Sequence, residues 1–145
     1  MESSMIEVYF VVDGEVVPWK RPRFNGHTKH VFEDTKVKAY KDKVRAAYLD
    51  EAQYQPMRWE KDIPISVTVN IYFEIPKSAS KKAKTEYLLN KRPTKRPDND
   101  NLYKGITDAL NGIAYYDDSQ IVETIIRKFW SEEPKAEVTI RSVTA

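Results

Sequence analysis

Residues 96–120 read RPDNDNLYKGITDALNGIAYYDDSQ, and the expected fold is built around them. Leu102, Ile106, Ala109, Leu110 and Ile113 recur at steps of three and four, which draws one apolar stripe along a helix. Asp100 and Lys104 lie four apart on its other side. Pro97 has no amide hydrogen to donate and biases Arg96 toward extended backbone. The helix is therefore expected to begin just after Pro97, capped by Asp98 or Asn99. Gly112 is placed to end it. Beyond it, Ile113 to Tyr116 suit a short strand or extended run, which would leave Asp117 and Asp118 on a strand end or turn.

Working outward toward the N-terminus, Lys91 to Pro97 contains Lys-Arg-Pro twice, too broken by proline for regular structure, and reads as a mobile basic loop. Ser78 to Asn90 suits a basic helix. Ile65 to Ile75 alternates Ile, Val, Val, Ile and Phe with polar residues, the period of a long strand with one buried face, and Pro76 ends it. Thr35 opens a further helix, with Val37, Tyr40, Val44, Ala47 and Tyr48 as its apolar stripe. Lys36, Lys38, Lys41, Lys43 and Arg45 are expected to cover the rest of its surface. Upstream, Ile6 to Val12 and Val16 to Arg23 flank the turn signal Asp13-Gly14-Glu15 and predict a hairpin. Asn25-Gly26 marks another turn, with His27 and His30 beside it as surface residues. On the other side, Val122 to Trp130 and Ala136 to Val143 alternate as strands about a Glu132-Glu133-Pro134 turn. The sum is an α+β fold: a single domain over residues 1–145, with a mixed sheet covered by about three helices. The acidic stretch is expected at one edge, with the basic loop beside it.

Asp98, Asp100, Asp117 and Asp118 crowd the two ends of this helix-and-return unit. Carboxylates brought together repel one another, and a hard divalent cation relieves that repulsion while accepting their oxygens. Mg²⁺ in particular is held by a few carboxylates together with the phosphates of a substrate. Phosphodiester cleavage is the first chemistry this pattern suggests. Each part also has a plainer use, since Asp and Asn cap helices, Asp-Asp-Ser makes turns, and Lys104 could simply pair with Asp100.

The chain has 145 residues, 41% of them hydrophobic, enough for one ordinary core. With no cysteine, thiolate metal sites and disulfides are excluded, so carboxylates must carry any metal. No apolar run reaches membrane-spanning length and no secretory leader is evident. The expectation is a soluble, cytoplasmic protein with no membrane partner. The net charge of +2 hides a segregation: residues 18–45 carry +6, residues 77–104 carry +6, and the remainder −10. Cations gathered near acids are what a site acting on polyanionic DNA needs. Lys20, Arg21 and Arg23 in the first segment, and Lys91, Arg92, Lys95 and Arg96 in the second, are the candidate DNA contacts. Trp19, Phe24, Tyr87 and Tyr103 accompany them, as core residues or as stacking surfaces for bases.

Asp98-Asn99-Asp100-Asn101-Leu102, then Lys104, then Asp108-Ala109-Leu110-Asn111-Gly112 and Asp117-Asp118-Ser119-Gln120 together resemble the signature of RusA-type crossover-junction endodeoxyribonucleases, or Holliday junction resolvases. Val17 to Phe24 is similar to the early basic segment of that family, and the likeness spans roughly residues 7 to 140. The resemblance implies a Mg²⁺-dependent enzyme, with Mn²⁺ as a substitute, that resolves four-way DNA junctions by paired symmetric nicks in recombination and repair. It implies catalytic roles for Asp98, Asp100, Lys104 and Asp118, with the three aspartates as metal ligands and Asp117 as a candidate further ligand. Lys104 would contact the scissile phosphate or the leaving oxygen. Two equivalent cuts imply a two-fold homodimer. Two alternatives stay open: a metal-dependent nuclease for other branched or single-stranded DNA, and a noncatalytic DNA-binding module whose acids are caps and turns.

Overall fold

A computed structural model describes residues 7–53 and 58–143. Its elements, in order, are β1 (Glu7–Asp13), β2 (Arg23–Asn25), β3 (His30–Phe32), α1 (Thr35–Ala52), β4 (Ile65–Glu74), α2 (Lys81–Asn90), α3 (Asn99–Leu110), a 3-10 turn at Asp118–Gln120, β5 (Ile121–Ser131) and β6 (Lys135–Ser142). The main sheet has the strand order β1-β6-β4-β5 and is mixed, because β4 runs parallel to β5 and antiparallel to β6. The α+β expectation holds.

Alternation decides which face is inside. Val67, Val69 and Ile71 of β4 meet Val8, Phe10 and Val12 of β1 and Ala136, Val138 and Ile140 of β6 in one buried layer. Helices α1 and α3 close it with Tyr40, Val44, Tyr48, Leu102, Ile106 and Leu110. The apolar stripes of both helices are therefore the buried ones, as their periods require. Helix α2 buries no residue and lies beside β5, where the Tyr87 ring meets that of Trp130 edge-on at 5.0 Å.

Several local expectations give way to tertiary partners. The hairpin about Asp13-Gly14-Glu15 does not form: β1 pairs antiparallel with β6, from Glu7 opposite Arg141 to Asp13 opposite Lys135. Val16 to Arg23 carries Pro18 and Pro22, which cannot donate to a ladder. Ile113 to Tyr116 is a turn rather than a strand, held by single bonds such as Trp59 N–H to the Ala114 carbonyl (3.0 Å). Although Glu132 to Pro134 joins β5 to β6, the two strands do not pair, because β4 lies between them. The 91–97 loop is not loose. Lys128 Nζ donates to the carbonyls of Lys95 (2.8 Å) and Pro97 (2.7 Å), Arg92 Nε donates to the Lys128 carbonyl, and Pro93 is buried. Nor is Lys41 a surface cation, since it is buried between two acids.

Candidate active site

Helix α3 starts at Asn99 with Asp98 as its N-cap residue, as the proline signal required. Yet the Asp98 side chain makes no capping hydrogen bond. Most N-cap aspartates spend a carboxylate oxygen on the helix amides, whereas this one, like Asp100 two residues on, is exposed and unengaged among the described residues. The helical repeat then sets Asp100, Lys104 and Asp108 along one face at steps of four.

Lys104 is fixed from above by the segment leaving β1. Trp19 N–H donates to the Asn101 carbonyl (3.0 Å), and the Lys104 ammonium lies 4.9 Å from the centre of the Trp19 ring. Gly105 makes this approach possible: a Cβ there would stand 2.9 Å from the Val17 carbonyl oxygen. Asp108, next on the face, accepts from Lys41 Nζ at 2.7 Å, and the same ammonium reaches Glu33 at 2.8 Å. Burial alone would lower the lysine's affinity for its proton, but the two carboxylates reverse this and raise its pKa. Arg45 Nε reinforces the end of the helix by donating to the Ala109 carbonyl (3.0 Å).

Asp117 and Asp118, adjacent in sequence, do different things. Asp117 caps the 3-10 turn: its carboxylate accepts from Ser119 N–H (3.0 Å), while Gln120 Oε1 accepts from its own amide (3.1 Å). Hydrogen bonding from the Ser119 side chain, and then from its backbone amide, holds the Asp117 pKa below the ordinary value. Asp118 instead faces α3. Its pKa is raised, first by desolvation among its neighbours and then by the negative charges of Asp108 and Asp117, against the Tyr115 hydroxyl and the Lys104 ammonium, which pull it down. The residue is exposed overall, with its carboxylate partly shielded from water by these neighbours. The Tyr115 hydroxyl donates to the Thr107 carbonyl at 2.7 Å and also lies near Asp118. Tyr103, whose hydroxyl pairs with Thr124 Oγ1 at 3.0 Å, also feels the Asp118 charge.

Thus the turn does bring the second acidic cluster back to the helix, but onto its Lys104–Asp108 stretch. Among the described residues no three His, Cys, Asp or Glu side chains are arranged to hold a metal ion, so Asp98, Asp100 and Asp118 do not form a closed triad here. The donor chemistry nonetheless suits a hard cation, because every candidate is a carboxylate and two of them are unengaged among the described residues. Asp108 and Lys41 are the residues that sequence reasoning missed. Asp108 sits eight residues after Asp100, which a search for face partners could have found; Lys41 carried no such signal.

The candidate DNA contacts divide. Arg21 and Arg96 are exposed, and Lys20 pairs with Asp34 at 3.6 Å. Arg23 opens β2. Lys91 lies over the Tyr87 ring (5.0 Å), Arg92 over Phe129 (4.1 Å) and Lys95 over Phe73 (5.1 Å), which fixes their stems while leaving their charge. His27 and His30 are exposed on the β2–β3 hairpin. Among the described residues no helix is long and apolar enough to cross a membrane.

A family model described as Endodeoxyribonuclease RusA matches residues 13–141. The chain is 42% identical over 146 residues to "Uncharacterized protein YqaN" of Bacillus subtilis (strain 168), covering 95% of this chain and 98% of that protein. It is also 35% identical over 86 residues to "Crossover junction endodeoxyribonuclease rusA" of Lactococcus phage r1t, covering 59% of this chain and 60% of the phage protein.

Proposed function

The chain belongs to the RusA endodeoxyribonuclease family, and from that premise we propose that it is a divalent-metal-dependent endonuclease that cuts the phosphodiester backbone of four-way DNA junctions. A two-fold homodimer would place two such sites for paired symmetric nicks, in the service of recombination and repair. The observation that carries this reading is that Asp118, delivered by the turn before β5, shares its surroundings with Lys104 and Asp108 of α3. Acids used only as caps and turns would have no reason to meet there. Asp117, which does cap, shows what the plainer role looks like.

Asp98, Asp100 and Asp118 would hold Mg²⁺ or Mn²⁺, and the cation would supply activation of water and neutralisation of charge on the phosphoryl group. Lys104 does the rest of the electrostatic work. Its ammonium, exposed one turn into α3 and steadied by Trp19, suits contact with the scissile phosphate or the departing oxygen as a point charge. Asp108, paired with Lys41, adds less repulsion to an incoming phosphate than a free carboxylate would. The fixed cations of the 91–97 loop lead straight into Asp98 and would hold the DNA backbone beside it.

The test is one gel with the purified protein on a synthetic four-way junction and on linear duplex of the same sequence, with and without Mg²⁺. Nicks at symmetric positions on the junction, dependent on metal and absent from the duplex, are expected. Cutting of flaps or single strands in preference to the junction would replace this substrate with the wider nuclease reading. Binding that never becomes cutting would leave only a DNA-binding module.

A further inference from the structure

Between Trp19 and Thr35 the chain makes a closed excursion whose two feet stand on the candidate site. One foot is Trp19, bonded to Asn101 and lying over Lys104. The other is Glu33, tied through Lys41 to Asp108 one turn further along the same helix face. The Lys20–Asp34 ion pair at 3.6 Å draws the feet together. What rises from this neck is the small sheet of β2 and β3, in which Phe24 stands directly opposite Val31.

That pair is in the wrong place for core residues. Phe24 is 65% exposed and Val31 66%, and Phe32, on the other face of the ribbon, is 46% exposed. A two-stranded ribbon is marginal in water, and leaving its largest apolar cross-strand pair uncovered adds to the cost. The surrounding charge says what would cover it. From residue 20 to residue 32 the sequence holds Lys20, Arg21, Arg23 and Lys29 and no acid. An apolar, partly aromatic face in a segment this rich in cations fits bases still attached to their phosphates better than the apolar groove of a protein partner.

We infer that the β2–β3 hairpin is a branch-reading element: the Phe24–Val31 face stacks on bases left unpaired or exposed at the branch point, while its cations hold the flanking phosphates. This rests on the branched-DNA reading above and adds to it the feature that selects branch over duplex. In a continuous duplex every base is stacked between its neighbours, and Phe24 has nothing to cover it. At a branch, base faces are available for it to cover.

The test titrates the full chain, in EDTA so that nothing is cut, onto a four-way junction carrying 2-aminopurine at the branch and onto a matching linear duplex. The wild type is expected to prefer the junction and to change the 2-aminopurine fluorescence. Phe24→Ala should weaken junction binding by roughly five- to a hundred-fold, the range for loss of one aromatic–base stack, and abolish the fluorescence change. Its duplex affinity and salt dependence should match wild type, because no charge has changed. Phe24→Trp should restore both junction signals. A wild type that binds the junction no more tightly than the duplex overturns the branched-DNA reading and this one with it. A wild type that prefers the junction, with Phe24→Ala matching it in affinity and fluorescence, overturns the hairpin's role alone.

Discussion

Asp117 and Asp118 share a residue type and a neighbourhood, and only the turn they begin tells them apart. An extended backbone at Asp117 aims its carboxylate back at the Ser119 amide, and the following residue is thereby rotated toward α3. Asp118→Asn is therefore expected to abolish junction cutting while leaving binding intact or tighter, since a negative charge facing phosphate is removed. Asp117→Asn should cut at close to the wild-type rate, because asparagine caps as well as aspartate. Cleavage gels and filter binding on both variants separate the two roles. That an Asp-Asp pair mattered was legible in the sequence. Which of the two faced the helix was not, because the cap depends on where Gln120 lands, and its side-chain amide is held there by donating to the distant carbonyls of Glu60 and Ile63 while accepting from the Asp117 amide.

Helix α3 is the element on which the site is strung, and its two flanks make different demands. Replacing an interior helical glycine by alanine ordinarily gains about 1 kcal/mol. At Gly105 the new Cβ would meet the Val17 carbonyl at 2.9 Å, a backbone atom with little room to yield. Gly105→Ala is expected to destabilise the protein by roughly 1–2 kcal/mol in urea denaturation, as overpacking does, and to lower cutting by displacing Trp19 from Lys104. On the opposite flank, Lys41→Ala would strand two carboxylates, Glu33 and Asp108. Breaking a fully buried pair costs about 3–5 kcal/mol. Here Glu33 and Asp108 keep 29% and 30% of their side-chain surface, so solvent makes up part of the loss and roughly 2 kcal/mol is expected. Equilibrium denaturation of the variant measures it. The stripe of α1 was legible from its period, but the same period placed Lys41 among the surface lysines. Its inward turn depends on Asp108, which is brought beside it only when α1 packs on α3.

At the scale of the whole molecule, the sheet's other face is tied by Glu137 of β6. Its carboxylate accepts from Tyr9 Oη of β1 (2.6 Å) and Tyr72 Oη of β4 (2.7 Å). Burial pushes the carboxyl up, but the two phenols and Lys135 outweigh it and hold it below its ordinary 4.5. Tyr9 is pushed up to about 12, mainly by its bond to Glu137, and Tyr72 also to about 12, mainly by burial and then by the same bond. A depressed carboxylate contributes stability above its unfolded pKa and loses it as pH falls through the folded value. A raised phenol contributes below 10 and loses it as pH climbs toward 12. The wild type should therefore lose stability at both ends, and Glu137→Gln should be less stable at neutral pH with a flatter profile. Urea midpoints across the pH range check this. By itself the sequence determined α1, α3, β4 and the acids that begin α3 and follow it, because periods of 3.6 and 2 and the effects of proline are local. Only the tertiary structure decided that β1 pairs with β6, that β4 separates β5 from β6, that Asp118 meets Lys104 and Asp108, and that Phe24 stays outside. Those outcomes depend on which distant surfaces share one core, and no stretch of chain carries that information alone.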